Sequence, residues 1–186
     1  MQLIRRSRAG DQEAFAALFE RYKNLVYKTA FLVLGNAAEA EDALQEVFVL
    51  VHKSLAGFDP SRGAFTTWLY RVTINCCLNQ RRKCRLTCVP LDEAPLAQLE
   101  APTEGDLAEQ DALRQALEEL TSNQRAVIVL RYHAELPYAE IARVLDVPLG
   151  TVKSRLDLAL KALRRVYVRQ EEAAALSPAA KVEVCR

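Results

Sequence analysis

Cysteine and histidine are the residues of this sequence best suited to nucleophilic catalysis or zinc binding. The two histidines, His52 and His133, lie 81 positions apart. Cys84 and Cys88 have three residues between them, a poor zinc spacing without nearby partner ligands. We therefore predict no enzyme activity, no metal and no cofactor, with free thiols in a reducing compartment. The alternative interpretation of Cys84 and Cys88 is that they bind zinc. The cysteines are Cys76, Cys77, Cys84, Cys88 and Cys185.

Residues 136–156 have the residue pattern of a helix-turn-helix. Ile141, Ala142 and Leu145 form the inner face of the first helix, and Asp146 occupies the turn, where Asp tolerates a left-handed backbone. Short polar and cationic side chains open the second helix and are suited to phosphates and base edges in a major groove. The alternative is an ordinary helical hairpin with a solvated face. The candidate DNA-binding residues are Thr151, Lys153, Ser154 and Arg155.

A second polar face lies on the predicted helix 37–56. Asp42, Gln45, Glu46 and Val49 follow one another at helical spacing and share one stripe, whereas the apolar residues lie on the other side. A stripe of this kind is most often only solvated. This helix is the third of the predicted helices and is called α3 below, and we refer to these four residues as the α3 stripe.

A third polar face lies on the predicted helix 64–86, beside an aromatic-rich segment. Aromatic rings next to cations and asparagine supply what an unstacked base needs, namely a stacking surface, hydrogen-bond donors and phosphate partners. For Phe65 and Trp68 we favour a place in an aromatic core. The candidate residues for single-stranded DNA are Arg62, Arg71, Asn75, Asn79, Arg82 and Lys83.

The elements that must position these faces are all predicted to be helical. Glycine occurs only 6 times, and long stretches are rich in Ala, Leu, Glu, Arg and Gln. Asp11 is expected to cap the second helix, Gly35 to end it, and Asn36 with Glu39 to form a capping box. The predicted helices are 2–8, 12–34, 37–56, 64–86, 108–120, 122–134, 137–145 and 148–170.

The charge distribution divides the 186-residue chain. Residues 92–111 carry 7 acidic and no basic side chains, whereas the flanking blocks are mildly basic and the whole chain has a net charge of +1. Prolines in the same stretch break helix and sheet, which indicates a flexible linker. We predict an all-α protein of two small domains, with a domain at 1–86, a linker at 87–107, a helix-turn-helix domain at 108–170 and a flexible tail at 171–186.

Targeting signals are not evident in the sequence. No apolar run approaches the roughly 18 residues of a membrane span. The first residues, Met1 to Asp11, are polar and basic and contain no apolar signal-peptide core. The expectation is a cytoplasmic protein without membrane insertion.

Together these segments resemble the extracytoplasmic-function (ECF) sigma factors, the small two-domain members of the sigma-70 family. Four segments carry the resemblance in the expected order, with the proline-rich linker between the third and the fourth. The fourth departs from the family pattern at Pro137, usually serine, and at Leu158 and Leu160, often arginine. The segments are residues 10–22, 40–48, 65–75 followed by Arg81-Arg82, and 138–142 with 148–156.

The resemblance implies a role in transcription initiation. Such a protein binds core RNA polymerase and promoter DNA, and an anti-sigma factor is an expected partner. By this analogy the α3 stripe docks on the polymerase, the loop 57–66 and the polar face of helix 64–86 hold the melted −10 strand, and the helix-turn-helix reads the −35 duplex. Two alternatives are a stand-alone helix-turn-helix regulator, which leaves the α3 stripe without a purpose, and a helical adaptor that binds no DNA.

Overall fold

The computed structural model describes residues 2–87, 116–117 and 119–176, and their side chains as far as 83 in the first range and 169 in the last. The predicted linker beyond Thr87, most of the predicted helix 108–120 and the tail beyond Leu176 lie outside the described residues. Within them the regular elements are all helical, as predicted.

Four α-helices form the first half: α1 (Gln2–Arg8), α2 (Gln12–Leu34), α3 (Ala37–Ser54) and α4 (Phe65–Thr87), with short 3₁₀ turns at Leu55–Gly57 and Pro60–Arg62 before α4. The predicted start and end signals act as expected at Asp11 and Gly35, whereas Asn36 and Glu39 form only one of the two hydrogen bonds of the predicted capping box. The Asp11 side chain accepts a hydrogen bond from the Ala14 N–H, and that of Asn36 from the Glu39 N–H. Gly35 ends α2 in the left-handed conformation, with φ 75°.

In the part of the second half that the structure describes, residues 116–117 are helical and three α-helices follow: α5 (Ser122–Ile128), α6 (Tyr138–Leu145) and α7 (Leu149–Leu176). Thr121 and Gln124 form a reciprocal capping box at the start of α5. The predicted helix 122–134 changes character at Val129–His133, where the backbone widens into a π turn. The last helix continues to Leu176, six residues beyond the predicted end at 170.

The first half has a hydrophobic core of its own. Apolar residues from α1, α2, α3, the first 3₁₀ turn and α4 pack in a cluster in which Val26, Val47, Val51 and Leu69 are completely buried. α3 and α4 each bury residues in this cluster and further residues in a second cluster described below, so their remaining, polar sides face solvent in fixed directions. This core therefore holds both candidate binding faces of the first half.

The two halves are not separate bodies. A second cluster joins buried residues of α2, α3 and α4 to buried residues of α5, α6 and α7. Val33 and Leu34 of α2 and Ile74 of α4 are completely buried, as are Val127 of α5 and Ile141 of α6. The sequence pattern predicted two helical units but not this direct contact between them. The helix-turn-helix thus lies against the first half.

Candidate nucleic-acid and protein interfaces

The helix-turn-helix is built as its sequence predicts. Asp146 follows α6 in the left-handed conformation, with φ 52° and ψ 51°, and the Val147 N–H donates to the Ala142 carbonyl at 3.1 Å. Val152 and Leu156 of α7 are buried under the turn, but Val144 is buried more completely than the predicted Ala142 and Leu145. Pro137 precedes α6 and supplies no side-chain cap, the loss expected where the family has serine.

The start of α7 presents the four candidate DNA-binding residues at two different angles. Lys153 and Ser154 are exposed, and Thr151 and Arg155 are half-buried. Successive helical residues are about 100° apart, so Thr151, Ser154 and Arg155 share one side, whereas Lys153 points well away from Thr151. The Ser154 hydroxyl donates to the Thr151 carbonyl at 3.1 Å, which leaves its oxygen free to accept. Three of the four predicted residues are therefore brought together, whereas Lys153 lies about 100° around the helix from Ser154, the nearest of the three.

The polar face of α4 is continuous. Arg71, Asn75, Asn79 and Arg82 are all exposed and lie four, four and three residues apart, on one side of the helix. Lys83 is exposed beside Arg82. We refer to Arg71, Asn75, Asn79 and Arg82 as the α4 face.

Arg62 stands apart from the α4 face, in the 3₁₀ turn that precedes the helix. Asp59 caps this turn, because its carboxylate accepts from both the hydroxyl and the N–H of Ser61 at 2.8 and 2.9 Å. The Ser61 hydroxyl lowers the pKa of Asp59, with the backbone N–H acting in the same direction. The turn thus holds Arg62 exposed at the head of α4.

The aromatic residues near the start of α4 form a packed cluster. The ring centroids of Phe58, Phe65 and Trp68 are 5.4–5.6 Å apart, and Tyr22 of α2 lies 5.2 Å from Phe65. Phe58 and Phe65 are buried and Trp68 is half-buried. The preferred prediction, that Phe65 and Trp68 belong to the core, is confirmed for Phe65 in full and for Trp68 in part. Trp68 and Tyr22, which are both half-buried, are the two rings of this cluster that offer a stacking surface.

The α3 stripe is exposed along its whole length. Val49 is 52% exposed, and the neighbouring polar residues Asp42, Gln45 and Glu46 are open to solvent. An apolar groove runs beside the stripe, between α2 and α3, lined by Phe15, Phe19, Gln45, Phe48, Val49, His52 and Lys53. The contribution of α2 was missed by the sequence analysis, although the four-residue spacing of Phe15 and Phe19 was a usable signal.

Comparisons with known proteins place both halves in one family. The family model for Sigma-70 region 2 matches residues 18–87, and that for Sigma-70, region 4 matches residues 110–163. The chain is 36% identical over 177 residues to the ECF RNA polymerase sigma factor SigW of Bacillus subtilis, with 87% of this chain and 93% of SigW covered. This chain belongs to the ECF sigma factors.

Further relatives agree with this membership. Identity is 32% over 171 residues to SigK of Mycobacterium tuberculosis and 31% over 177 residues to the RNA polymerase sigma-H factor of Pseudomonas aeruginosa. Each alignment covers 87% of this chain and 90% of the relative. The protein is an alternative sigma factor that directs transcription initiation.

Solved structures share the fold of this sigma factor. CnrH in complex with the cytosolic domain of CnrY has a TM-score of 0.65 at 24% identity, covering 90% of this chain and 96% of that one. The Bartonella quintana sigma factor RpoE in complex with the anti-sigma factor NepR has a TM-score of 0.68 at 21% identity, covering 82% and 96%. The all-α prediction is confirmed.

The thiols described in the sigma factor are buried and neutral. Burial raises the pKa of both Cys76 and Cys77 to about 12, so neither is a thiolate near neutral pH. No group of three potential ligands for a metal occurs among the described side chains. Cys84, Cys88 and Cys185 have side chains outside the description. Among the helices that are described, none is long and apolar enough to cross a membrane.

Proposed function

We propose that this alternative sigma factor uses three separate faces during initiation. The α3 stripe binds core RNA polymerase, the start of α7 contacts the −35 duplex, and the α4 face with Arg62 and Lys83 holds the melted −10 strand. The observation that carries this assignment is the one-sided burial of α3 and α4. Each of the two helices is anchored by a buried apolar side and presents an opposite side that nothing in the described part of the chain covers.

The chemistry of each face matches its target. The α3 stripe combines two carboxylates with Val49 beside an apolar groove, a mixture typical of a protein interface rather than of a phosphate-binding surface. The α4 face and the start of α7 carry cations and amide or hydroxyl groups without a carboxylate among the named residues, which suits DNA. The partly exposed Trp68 lies near the head of the α4 face, where an unstacked base needs an aromatic surface.

The domain limits follow from the same assignment. We assign the region-two-like domain to 1–86, the linker to 87–107, the helix-turn-helix domain to 108–170 and the tail to 171–186. Action in the cytoplasm, where transcription takes place, and the absence of enzymatic activity belong to the same proposal. Two solved relatives are complexes, one with an anti-sigma factor and one with CnrY, and we propose that a partner of the anti-sigma class controls this chain.

The decisive experiment reverses charge on the α3 stripe. Asp42→Arg combined with Glu46→Arg should abolish binding to core polymerase, because both carboxylates are exposed and lie on the same side of α3. The matched control is Glu13→Arg with Glu20→Arg on the exposed surface of α2, which should bind normally. Run-off transcription over a genomic fragment library with core polymerase reports the function itself. Wild-type polymerase affinity in the α3 variant would remove the α3 stripe from the interface.

A further inference from the structure

The contact between the two halves has features of a specific docking surface. Beyond the shared apolar cluster, the Thr67 hydroxyl of α4 donates to the Glu140 carboxylate of α6 at 3.2 Å. Thr67 stands near the start of the helix assigned to the −10 strand, and Glu140 belongs to the first helix of the helix-turn-helix. The two DNA-reading elements are therefore bonded to each other in this conformation.

The side chain of Arg125 lies at the carboxyl end of α2. Arg125 is only 8% exposed, and a Cβ placed on Gly35 would lie 2.8 Å from the Nη1 atom of Arg125. The guanidinium thus fills space that only glycine leaves open at this position. The carboxyl end of a helix carries partial negative charge that favours a cation. Arg81 of α4 also reaches this end and donates to the Leu34 carbonyl.

This closed conformation does not fit a straight promoter. Elements centred at −35 and −10 are 25 base pairs apart, which is about 85 Å at 3.4 Å per base pair. The whole of α4 is only about 35 Å long at 1.5 Å per residue, and α6 packs directly against it. Residues 88–115 provide 28 residues of chain, whose fully extended reach is about 90–100 Å. Covalent geometry therefore permits an open form that spans both elements.

We propose, resting on the function proposed above, that Arg125 is a latch that holds the free sigma factor closed and must leave Gly35 before both promoter elements are bound together. The α3 stripe and Lys153 and Ser154 of α7 are exposed in the closed form. Polymerase and an isolated −35 duplex can therefore each bind before opening. What the latch controls is the simultaneous use of the two DNA-binding faces.

Small-angle X-ray scattering of the full chain without polymerase tests the latch directly. Wild type should scatter as one closed body, with a radius of gyration near that of the structure. Arg125→Glu places a carboxylate at the negative end of α2, and the radius should rise by several ångströms while helicity by circular dichroism is retained. Gly35→Ala is the milder second variant, because the atom in its way is the far end of a flexible side chain.

Gly10→Ala is the matched control for Gly35→Ala. Gly10 also has a left-handed φ, +88°, but a Cβ there meets nothing within 4 Å. Both alanines carry the backbone strain, and only the one at position 35 displaces Arg125. Gly10→Ala should scatter like wild type, and Gly35→Ala with Arg125→Ala should be no more open than Arg125→Ala alone. Unchanged scattering in both Arg125→Glu and Gly35→Ala, or separated halves in the wild type, would overturn the latch.

A binding experiment connects the latch to initiation. The apparent affinity for a ligand of the open form scales with the fraction already open, so polymerase loaded with Gly35→Ala should bind a promoter fragment that carries both elements more tightly than polymerase loaded with Gly10→Ala. Affinity for an isolated −35 duplex, measured by fluorescence anisotropy, should be the same in both variants. Equal affinity for that promoter fragment despite an open scattering profile would contradict the role in initiation. Failure of wild type itself to bind polymerase would refute the proposed function and leave the scattering result intact.

Discussion

The two halves of the molecule position their DNA-binding faces in different ways. The α4 face stands on a long helix that Phe65, Leu69 and Cys76 anchor in a core made by the first half alone, while Tyr70, Ile74 and Cys77 are buried in the cluster shared with the second half. The start of α7 stands on a helix-turn-helix whose buried residues belong largely to the cluster shared with the first half, while a small separate cluster contains Leu120, Ala159 and Ala162. The second half therefore depends on the first for part of its burial, and the reverse dependence is weaker.

This difference matches the tasks of the two faces. A surface that holds a strand-separated segment needs a rigid platform, because every contact must be in place as the duplex opens. The turn of a helix-turn-helix fixes the position of the helix that docks in the major groove, so this unit needs only to reach the DNA. A helix-turn-helix that is locally well defined but globally detachable fits the second task.

Core substitutions give the largest expected effect and test the asymmetry. Leu69 belongs to the core of the first half, and Ile141 to the shared cluster, and both are completely buried. Truncation of either to alanine should cost about 2–5 kcal/mol. Leu69→Ala should lower hydrogen-exchange protection throughout the described helices, whereas Ile141→Ala should lower it in α5, α6 and α7 and spare α1 to α3. Equal loss of protection in both halves for Ile141→Ala would show one cooperative unit.

The second prediction separates promoter binding from promoter opening. Asn75→Ala and Arg82→Ala remove contacts proposed to form only with melted DNA, so these variants should bind closed promoter duplex nearly as wild type does. They should fail to open it, with a deficit of about 1–3 kcal/mol each if a base-reading contact is lost, and a pre-melted bubble template should restore much of the activity. Permanganate reactivity of thymines near the start site measures the opening.

Two control variants are measured in the same promoter-opening experiment. Arg155→Ala should show the opposite behaviour, with weak binding to duplex that a bubble does not restore, because α7 is assigned to double-stranded DNA. Asn24→Ala changes an exposed asparagine of α2 and should behave as wild type. If Asn75→Ala and Arg82→Ala open the promoter normally, the first half does not hold the melted strand and the comparison between the two faces is lost.

The third prediction distinguishes residues within the start of α7. Lys153 lies about 100° around the helix from the nearest of Thr151, Ser154 and Arg155, so its ammonium is placed for a phosphate. Lys153→Ala should weaken all duplex sequences alike and reduce the salt dependence of binding by roughly one unit. Arg155→Ala should instead relax the preference at one base pair, at a cost of about 1–3 kcal/mol. A sequence-specific loss in Lys153→Ala would reverse these assignments.

Most of the fold was predictable because its signals are local. Caps such as Asp11, Asn36 and Thr121, and the left-handed Gly35 and Asp146, are set by neighbouring atoms, so residue type alone indicates them. The exposure of the α3 stripe and the α4 face also followed from helical periodicity. Within the described residues, the turn was confirmed and the helix ends were confirmed to within two positions, except for the change to a π turn at Val129–His133 and the end of α7, six residues beyond the prediction.

The contact between the halves was not predictable for a physical reason. Ile141 and Val144 look like the inner face of a helix-turn-helix whether or not another helix covers them, and burial against α4 leaves no separate periodic signal. Arg125 reads as an exposed helical cation, yet it is buried because Gly35, 90 positions earlier, leaves room for it. Long-range contacts of this kind depend on the three-dimensional path of the chain and not on any local pattern.

The smallest expected effect concerns pH and the contact between the halves. Desolvation by neighbouring atoms and the nearby Lys28 of α2 lower the pKa of His133, an exposed residue in the π turn of the second half. An unfolded chain takes up this proton near the usual histidine value of about 6.5, while the folded chain still excludes it. The free energy of unfolding should therefore fall as the pH drops through that value, and should level off below the lowered folded value.

Denaturant titrations between pH 7.5 and 5.5 should show the fall in wild type and in His52→Gln, but little of it in His133→Gln. Asp11 and Asp59 do not contribute to the pH dependence in this range, because hydrogen bonds from the Ala14 N–H and the Ser61 hydroxyl hold the pKa of each below the usual aspartate value. A pH dependence that survives in His133→Gln would show that acid acts elsewhere than on this contact.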